Sequence, residues 1–188
     1  MVANREDLIE QIWKTLELVP QQGGHPWRTP ALATISLDGR PAVRTVVLRN
    51  VKVESCTLIA HTDVRSPKVA ELRANPESEW VFFDPSSQVQ LRLRGETEVV
   101  TSGEEFEGAW DSTPILLRPN YGSVAPPGTP LKDPPEISTT GSIGGKENFA
   151  LLCSRIREID WLQLNRRGHE RIVFIQEGSA WSGTWVVP

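Results

Sequence analysis

The sequence predicts a mainly β fold, in the form of a closed or partly closed barrel with a few helices that flank or plug it. Three observations favour this class. Short apolar segments recur along the chain, with turn residues between them. Few segments have helical periodicity, and no G-x-G-x-x-G motif is present, which disfavours a Rossmann sheet. The length of 188 residues suits one domain that spans residues 1–188.

The first half of the chain supplies one helix and most of the predicted strands. A helix is predicted over residues 5–18, where Leu8, Ile12 and Leu16 recur at helical spacing. Asp38-Gly39 separates two alternating segments, which indicates a β-hairpin. The strands predicted here are Ala31–Ser36, Ala42–Arg49, Thr57–His61, Trp80–Phe83 and Val89–Val100.

Two more helices have recognisable starts. Ser66 suits an N-cap and Pro67 suits a first helical turn, so we predict that a helix begins at this point. Ser102 and Glu105 form a capping-box pattern, which predicts a helix that ends near Trp110.

The second half is dominated by a segment rich in proline and glycine. Residues 119–147 hold six prolines and five glycines in 29 positions, which predicts a long irregular loop. A short helix is predicted near Phe149–Ile156. The remaining predicted strands lie near Ile159–Leu164, Arg171–Gln176 and Trp181–Val187.

Composition excludes several classes of function. The formal net charge of −4 gives no general attraction to nucleic acid or to an anionic membrane. Cys56 and Cys153 lack metal-type spacing and are expected to be free thiols in a reducing compartment, so we predict a cytoplasmic protein without a metal site. The first residues are charged and amphipathic, unlike a secretory signal, and no apolar run approaches the ~18 residues of a membrane span.

Two arginines bracket the apolar part of the predicted strand Ala42–Arg49. Arg44 and Arg49 enclose the segment Thr45-Val46-Val47-Leu48. If this strand is regular, a spacing of five residues directs the two guanidinium groups to opposite faces of the sheet. One arginine would then face a pocket while the other faces a neighbouring element or a substrate.

A second cationic feature lies at the predicted start of a helix. In Arg65-Ser66-Pro67-Lys68, two cations and a hydroxyl coincide with free backbone N–H groups and the positive end of a helix dipole. This combination suits a phosphate dianion. The simpler alternative is that each cation is a surface charge paired with Asp63, Glu71 or Asp84, which is the usual environment of Arg and Lys. The cations taken together favour the phosphate site.

Sequence motifs between Trp27 and Gly95 resemble a known family. The matching segments are TPALATISLDGRPAVRTVVLR, His61-Thr62, RSPK, LRANP and QLRLRG. In order and spacing they resemble the FMN-binding split-barrel family of pyridoxamine 5′-phosphate oxidase. The resemblance implies a split β-barrel with flanking helices and FMN as cofactor. The residues that it implies as FMN-binding in this segment are Arg44, Thr45, Val46, Val47, His61, Thr62, Arg65, Ser66, Lys68 and Gln90.

The C-terminal segment extends the resemblance. Trp161 is followed ten residues later by Arg171, which ends the R-x-H-x-R pattern begun by Arg167 and His169, and the chain ends in Pro188. The resemblance implies that Trp161 and Arg171 contact FMN from a second subunit. It also implies that Arg167 and His169 face the substrate. We therefore expect a homodimer with two FMN sites at the interface, each built from both chains.

The sequence departs from the family at the substrate site. Arg49 stands where the family has a lysine, and Arg118 could supply an expected arginine. Pro114 and Gly122 stand where a tyrosine and a serine are expected. The chain therefore resembles the pyridoxamine 5′-phosphate oxidase-related branch more than the vitamin B6 enzyme itself. The implied substrate-binding set is Arg49, Arg118, Arg167 and His169, of which Arg49, Arg167 and His169 form the implied catalytic set.

Three functions remain open at this point. One is an FMN-dependent oxidase of pyridoxamine or pyridoxine phosphate, or of a related small anionic substrate, that transfers a hydride to flavin N5. The second is an NAD(P)H-dependent flavin reductase of the same fold. The third is a non-catalytic FMN-binding protein. The missing tyrosine and serine disfavour the first, and the retained R-x-H-x-R pattern disfavours the third.

Overall fold

The computed structural model describes residues 4–133 and 144–188 of the chain. Within these residues it contains three α-helices and one sheet of nine strands. The helices are α1 (Arg5–Leu18), α2 (Pro67–Ala74) and α3 (Glu104–Ser112). The strands are β1 (Ala31–Ile35), β2 (Pro41–Thr45), β3 (Leu48–Lys52), β4 (Thr57–Asp63), β5 (Glu77–Asp84), β6 (Val89–Val100), β7 (Phe149–Gln163), β8 (Glu170–Glu177) and β9 (Ala180–Val186). The predicted mainly β class is confirmed.

The sheet is antiparallel and is organised around β7, its longest strand. The strand order is β2-β1-β5-β6-β7-β4-β3, and β8 and β9 extend from β7. On one side β7 pairs with β6 along almost its whole length, from Val89 opposite Gln163 to Val100 opposite Leu151. On the other side, its first half pairs with β4 and its second half pairs with β8. Both edges of β7 are therefore satisfied by backbone hydrogen bonds, as a buried strand requires.

The main core lies between the sheet and α1. Fully buried side chains from the strands, among them Trp80, Leu91 and Phe174, fill the interior. From α1, Ile12 and Leu16 are buried against this core, in agreement with the predicted apolar face of the helix.

A second, smaller core lies at the other end of the sheet under α3. Phe149, the first residue of β7, is at its centre, with Trp110 at 5.3 Å and Tyr121 at 5.0 Å between ring centroids. Tyr121 ends a 3-10 segment over Ile115–Tyr121. This packing positions α3 and the 3-10 segment beside the end of β4, where His61 also contacts the Phe149 ring.

The predicted strand Ala42–Arg49 is wrong, because the chain forms two strands there. β2 ends at Thr45 and β3 begins at Leu48, and the two strands lie at opposite ends of the strand order. Between them the N–H of Val46 donates to the Pro30 carbonyl at 3.0 Å. Arg44 and Arg49 therefore do not share a strand, and the expectation based on opposite faces does not apply.

The predicted helix near Phe149–Ile156 is also wrong, since this segment is the first half of β7. Both faces of this segment are covered, one by the main core and one by the second core, so Phe149–Cys153 form a continuous apolar run without the alternation that marks a half-buried strand. The predicted capping box of α3 is absent as well. Gly103 is the N-cap, at φ +97°, and no side chain caps the helix.

The segment predicted as an irregular loop is described only in part. The 3-10 segment Ile115–Tyr121 overlaps its start, and a second 3-10 turn, Lys146–Asn148, overlaps its end. Residues 134–143 of this prediction lie outside the described residues.

In the described ranges no helix is long and apolar enough to cross a membrane.

A bulge in β6 places Gly95 against the backbone of β7. The register shifts between Arg94 and Gly95, and a Cβ at position 95 would lie 2.9 Å from the Ile156 Cα and would collide with the Arg155 carbonyl oxygen. Any side chain here must therefore move the central strand pair apart.

We predict that Gly95→Ala lowers the free energy of unfolding by about 3 kcal/mol, the cost of overpacking a rigid core. Urea unfolding monitored by tryptophan fluorescence measures this change. Gly108→Ala is the matched control, because Gly108 lies on α3 and nothing stands within 4 Å of an added Cβ. It should raise stability by up to about 1 kcal/mol through helix propensity. Equal stabilities of the two variants would contradict the role of the bulge.

Candidate functional site

Four residues converge where β4 ends and α2 begins, and we call them the α2 cluster: Arg44, Thr62, Ser66 and Lys68. The Lys68 ammonium donates to the Thr62 hydroxyl oxygen at 3.1 Å and to the Ser66 hydroxyl oxygen at 3.0 Å. Both hydroxyl-bearing residues are buried. Ser66 is the N-cap residue of α2, as predicted, although its hydroxyl donates to the Asp63 carbonyl rather than capping the helix.

The Lys68 ammonium lacks a direct counterion. Burial lowers the pKa of Lys68 and the nearby charge of Arg44 lowers it further, against opposite effects from Asp63 and Glu71. In the part of the chain that the structure describes, no carboxylate lies within ion-pair distance of this ammonium, whose side-chain partners are two hydroxyls. A partly desolvated cation with neutral partners is electrostatically suited to bind an anion.

Arg44, by contrast, is already paired. Its guanidinium donates to the Glu71 carboxylate at 2.7 Å and to the Thr34 hydroxyl at 2.5 Å. Glu71 is itself buried, and Thr34 donates to it at 2.6 Å. This network fixes Arg44 beside Lys68 and neutralises part of the positive charge of the α2 cluster.

Arg65 is also paired, through the turn that precedes α2. Its guanidinium donates to both carboxylate oxygens of Asp63, at 3.0 and 2.7 Å, and its backbone N–H donates to the same side chain at 2.8 Å. A further guanidinium N–H reaches the Val124 carbonyl at 3.3 Å. The simpler alternative, in which each cation pairs with a nearby carboxylate, is therefore present for two cations. Arg44 pairs with Glu71, and Arg65 pairs with Asp63.

A cavity of about 180 Å³ lies where β3 pairs with β4, and we call it the Arg49 pocket. Thr45, Val46 and Val47 connect the two sites along the chain, from the end of β2 to the start of β3. The pocket is lined by Pro20, Arg28, Leu48, Arg49, His61, Ser112, Thr113, Pro114 and Leu117. None of these lining residues is acidic, so the pocket carries positive charge.

Several residues of this pocket, Arg28 among them, have no role that could be predicted from the sequence. Arg28 precedes β1 in a loop, and its closeness to Arg49 depends on how the barrel closes. His61, which the family resemblance implies as an FMN-binding residue, also lines the cavity. Burial lowers the pKa of His61 to about 4, and the charge of Arg49 acts in the same direction, so the imidazole is neutral near pH 7. No local sequence signal identifies these contacts.

Arg118 lies behind this pocket rather than in its lining. Its guanidinium donates to the main-chain carbonyls of Thr113 at 3.1 Å and of Trp110 and Asp111 at 3.2 Å, and it stacks over the Trp110 ring at 5.0 Å. It thus stabilises the C-terminal end of α3. Its predicted contact with substrate stays a prediction.

Three predicted cofactor residues lie together at the far end of β7, and we call them the distal group: Gln90, Trp161 and Arg171. In the strand register Gln90 stands opposite Leu162, which in turn stands opposite Arg171. The Trp161 ring packs edge-on against Trp185 at 6.5 Å.

A buried carboxylate holds the arginine of the distal group. Arg171 donates to both oxygens of Asp160, at 3.0 and 2.7 Å, and Arg92 pairs with the same carboxylate. Burial alone would raise the pKa of Asp160, but the hydrogen bonds from Arg171 and Arg92 outweigh it and lower the pKa. Arg171 is therefore held in place with its charge largely compensated.

Arg167 and His169 lie near the distal group, in the exposed turn between β7 and β8. The ring nitrogen Nδ1 of His169 accepts the N–H of Asn165 at 3.1 Å. The predicted site residues therefore form two sets within one chain, one at each end of β7.

The separation of the two sets follows from the strand register. Thr62 pairs with Ala150, and Trp161 lies eleven residues further along β7. At about 3.3 Å per residue this is roughly 35 Å of strand. The α2 cluster and the distal group of one chain therefore cannot contact one bound molecule of ordinary size along this strand.

Neither metal nor thiol chemistry is indicated within residues 4–133 and 144–188. No group of three or more His, Cys, Asp or Glu side chains there could hold a metal ion. Cys56 and Cys153 are free, and burial raises the pKa of both thiols, that of Cys153 to about 12. Such thiols are poor nucleophiles at neutral pH.

Comparison with known proteins defines the class to which this fold and site belong. Residues 10–101 match the family model described as "Pyridoxamine 5′-phosphate oxidase, FMN-binding domain". Pyridoxine/pyridoxamine 5′-phosphate oxidase 2 of Arabidopsis thaliana is 32% identical over 154 residues, which cover 76% of this chain and 76% of that protein. Pyridoxine/pyridoxamine 5′-phosphate oxidase of Thermosynechococcus vestitus is 34% identical over 115 residues, which cover 60% of this chain and 52% of that protein.

A solved structure supports the fold over the full chain. The crystal structure of a pyridoxamine 5′-phosphate oxidase-related, FMN binding protein from Nostoc punctiforme superposes with a TM-score of 0.76 and 23% identity, and the match covers 100% of both chains. The protein is thus an FMN-binding split-barrel protein. It belongs to the pyridoxamine 5′-phosphate oxidase family, and FMN is its cofactor, as the sequence motifs implied.

The α2 cluster fits this cofactor. FMN carries a phosphate dianion, and the cluster offers an ammonium without a carboxylate partner, two hydroxyls and the start of a helix. These groups match the chemistry that a phosphate requires.

The low pKa of His61 predicts an acid-sensitive fold. An unfolded histidine titrates near 6.5 and folded His61 near 4, so the unfolded chain binds the extra proton between these values. Stability should fall as the pH drops from about 6.5 towards 4. Urea unfolding at pH 7 and pH 4.5 should show that the wild type loses about 2 kcal/mol more than His61→Gln. His169→Gln, at an exposed site, is the control, and an equal loss in the wild type and His61→Gln would contradict the prediction.

Proposed function

We propose that the protein is an FMN-dependent oxidase of pyridoxamine or pyridoxine 5′-phosphate, or of a related small anionic substrate. The observation that supports this most directly is the presence of two cationic sites, the α2 cluster and the Arg49 pocket, which contain the consecutive β4 residues Thr62 and His61. The α2 cluster suits the phosphate of the cofactor, and the Arg49 pocket suits an anionic group of a substrate. When bound, FMN supplies a hydride acceptor at its N5 atom, and dioxygen reoxidises it.

In this proposal the α2 cluster holds the FMN phosphate. Lys68 supplies a charge-assisted hydrogen bond, Thr62 and Ser66 supply hydroxyls, and Arg44 adds a second positive charge. Arg65 orients the turn through Asp63 and so acts mainly on the position of the backbone. Thr45, Val46, Val47 and His61, which the family resemblance implies as FMN-binding, would contact the cofactor between the strands β2 and β4.

The distal group completes the site of a second subunit. Gln90, Trp161 and Arg171 are separated from the α2 cluster of their own chain by the length of β7, so they can act on the same FMN only from another copy. A homodimer with two such composite sites accounts for both sets of predicted residues. Asp160 orients Arg171 for this contact through its two hydrogen bonds.

Substrate residues would come from both copies as well. Arg49 would bind the anionic group of the substrate, and Arg167 and His169, in the turn beside the distal group, would approach from the partner. Neutral His61 leaves the Arg49 charge free for an anion and offers no competing cation. These groups orient the substrate, while the hydride acceptor is the cofactor.

The first experiment tests cofactor and reaction together. The purified protein should be yellow with one FMN per chain, and pyridoxamine 5′-phosphate under air should yield hydrogen peroxide. Lys68→Met should weaken FMN affinity about tenfold to hundredfold, the value of a charge-assisted hydrogen bond. Lys14→Met, at an exposed site on α1, is the control. Flavin reduction with NAD(P)H alone would indicate a reductase, and FMN binding without turnover of either compound would indicate a non-catalytic protein.

The second experiment tests the composite site by mixing variants. In a homodimer of either variant, Lys68→Met or Trp161→Leu, both FMN sites carry the substitution and bind FMN poorly. A mixed dimer, however, has one site with both defects and one intact site. Random exchange at equal amounts should restore about a quarter of the wild-type FMN sites. Mixing Lys68→Met with Thr62→Val, both in the α2 cluster, should restore none, and failure of the first mixture to recover FMN binding would refute the shared site.

A further inference from the structure

Arg28 has an environment that neither the family motifs nor the proposed reaction explains. It ends the 3-10 turn Pro26–Arg28 and lines the Arg49 pocket. Its Nε atom is buried and has no hydrogen-bond partner within residues 4–133 and 144–188. Among the described residues, neither Arg28 nor Arg49 has a carboxylate within ion-pair distance.

Two arginines that line one small cavity, with no ion pair to any described residue, are unfavourable in the free protein. Each is partly removed from water, they repel one another, and one buried donor is unsatisfied. An anion with several acceptor oxygens would relieve all three effects at once. The remaining polar lining, the neutral His61 ring and the hydroxyls of Ser112 and Thr113, can hydrogen-bond an anion without repelling it.

Size and charge indicate which anion the pocket suits. A volume of about 180 Å³ corresponds to roughly six water molecules at their share of liquid volume, which is enough for one compact tetrahedral group. A guanidinium binds two oxygens in parallel, so two guanidinium groups match a group with three terminal oxygens and a charge near −2. A carboxylate would leave one of the two positive charges uncompensated.

We propose that Arg28 and Arg49 form a two-arginine clamp for the phosphate monoester of the substrate, and that Arg28 determines the preference for a dianion. The assignment of this phosphate to the substrate rests on the proposed function. The clamp itself rests on two arginines that have no ion pair within the described residues and on the cavity that both of them line.

The test uses the FMN-loaded protein, so that the α2 cluster is occupied, with inorganic phosphate as the probe and acetate as the comparison. Phosphate should raise the melting temperature of the wild type and acetate should have little effect. Arg28→Met and Arg49→Met should weaken phosphate binding at least tenfold by calorimetry. Arg40→Met is the control, since Arg40 is exposed in the β1–β2 turn.

A purely structural role for Arg28 would give a different result. If Arg28 only supports the loop, Arg28→Met should lower the melting temperature without phosphate and leave phosphate binding unchanged, which would overturn the clamp. The clamp instead predicts an unchanged or higher melting temperature without phosphate, because the substitution removes a repulsive charge. A wild type that does not bind phosphate would also overturn it.

The reaction provides a separate measurement. With pyridoxamine 5′-phosphate, Arg28→Met should raise KM at least tenfold and largely preserve kcat. If this compound is not oxidised but phosphate binding still requires Arg28, the proposed reaction fails while the clamp is supported.

Discussion

Backbone pairing along β7 is the constraint on which the rest of this structure depends. This 15-residue strand is hydrogen-bonded to β6 on one side and to β4 and then β8 on the other. Its length sets the distance between the α2 cluster and the distal group, and the bulge at Gly95 permits the close contact of β6 with β7. The proposed FMN site, which uses both groups, would therefore be assembled from two chains.

The cations of the protein fall into two classes that differ in their partners. Arg44, Arg65 and Arg171 are held by the buried carboxylates of Glu71, Asp63 and Asp160, so their main effect within the chain is to fix the geometry of the site. Lys68, Arg28 and Arg49 lie at concave or partly buried positions, and the described residues provide them with no ion pair. A buried cation without a partner lowers stability. Its presence in a cavity is explained most simply by a ligand that supplies the missing charge.

Helices and strands were predictable from the sequence where residues a few positions apart determine them. The helix over residues 5–18, the start of α2 after Ser66 and the full extent of β6 agree with prediction, because side-chain periodicity and turn residues act over a few positions. The predictions were wrong where segments distant in sequence determine the secondary structure. The break between β2 and β3 depends on barrel closure. The first half of β7 resembles a helix in sequence because the two cores cover both of its faces.

The sequence by itself determined the family, the cofactor and the residue types at the site, since those are carried by short motifs such as RTVVLR and RSPK. Only the tertiary structure decided which of these residues meet. It paired Arg44 with Glu71, brought Arg28 and His61 to Arg49, and separated Trp161 from Thr62 by the length of a strand. The physical reason is that ion pairs, burial and cavity walls depend on distances between chain segments remote in sequence, which a local pattern of residues does not encode.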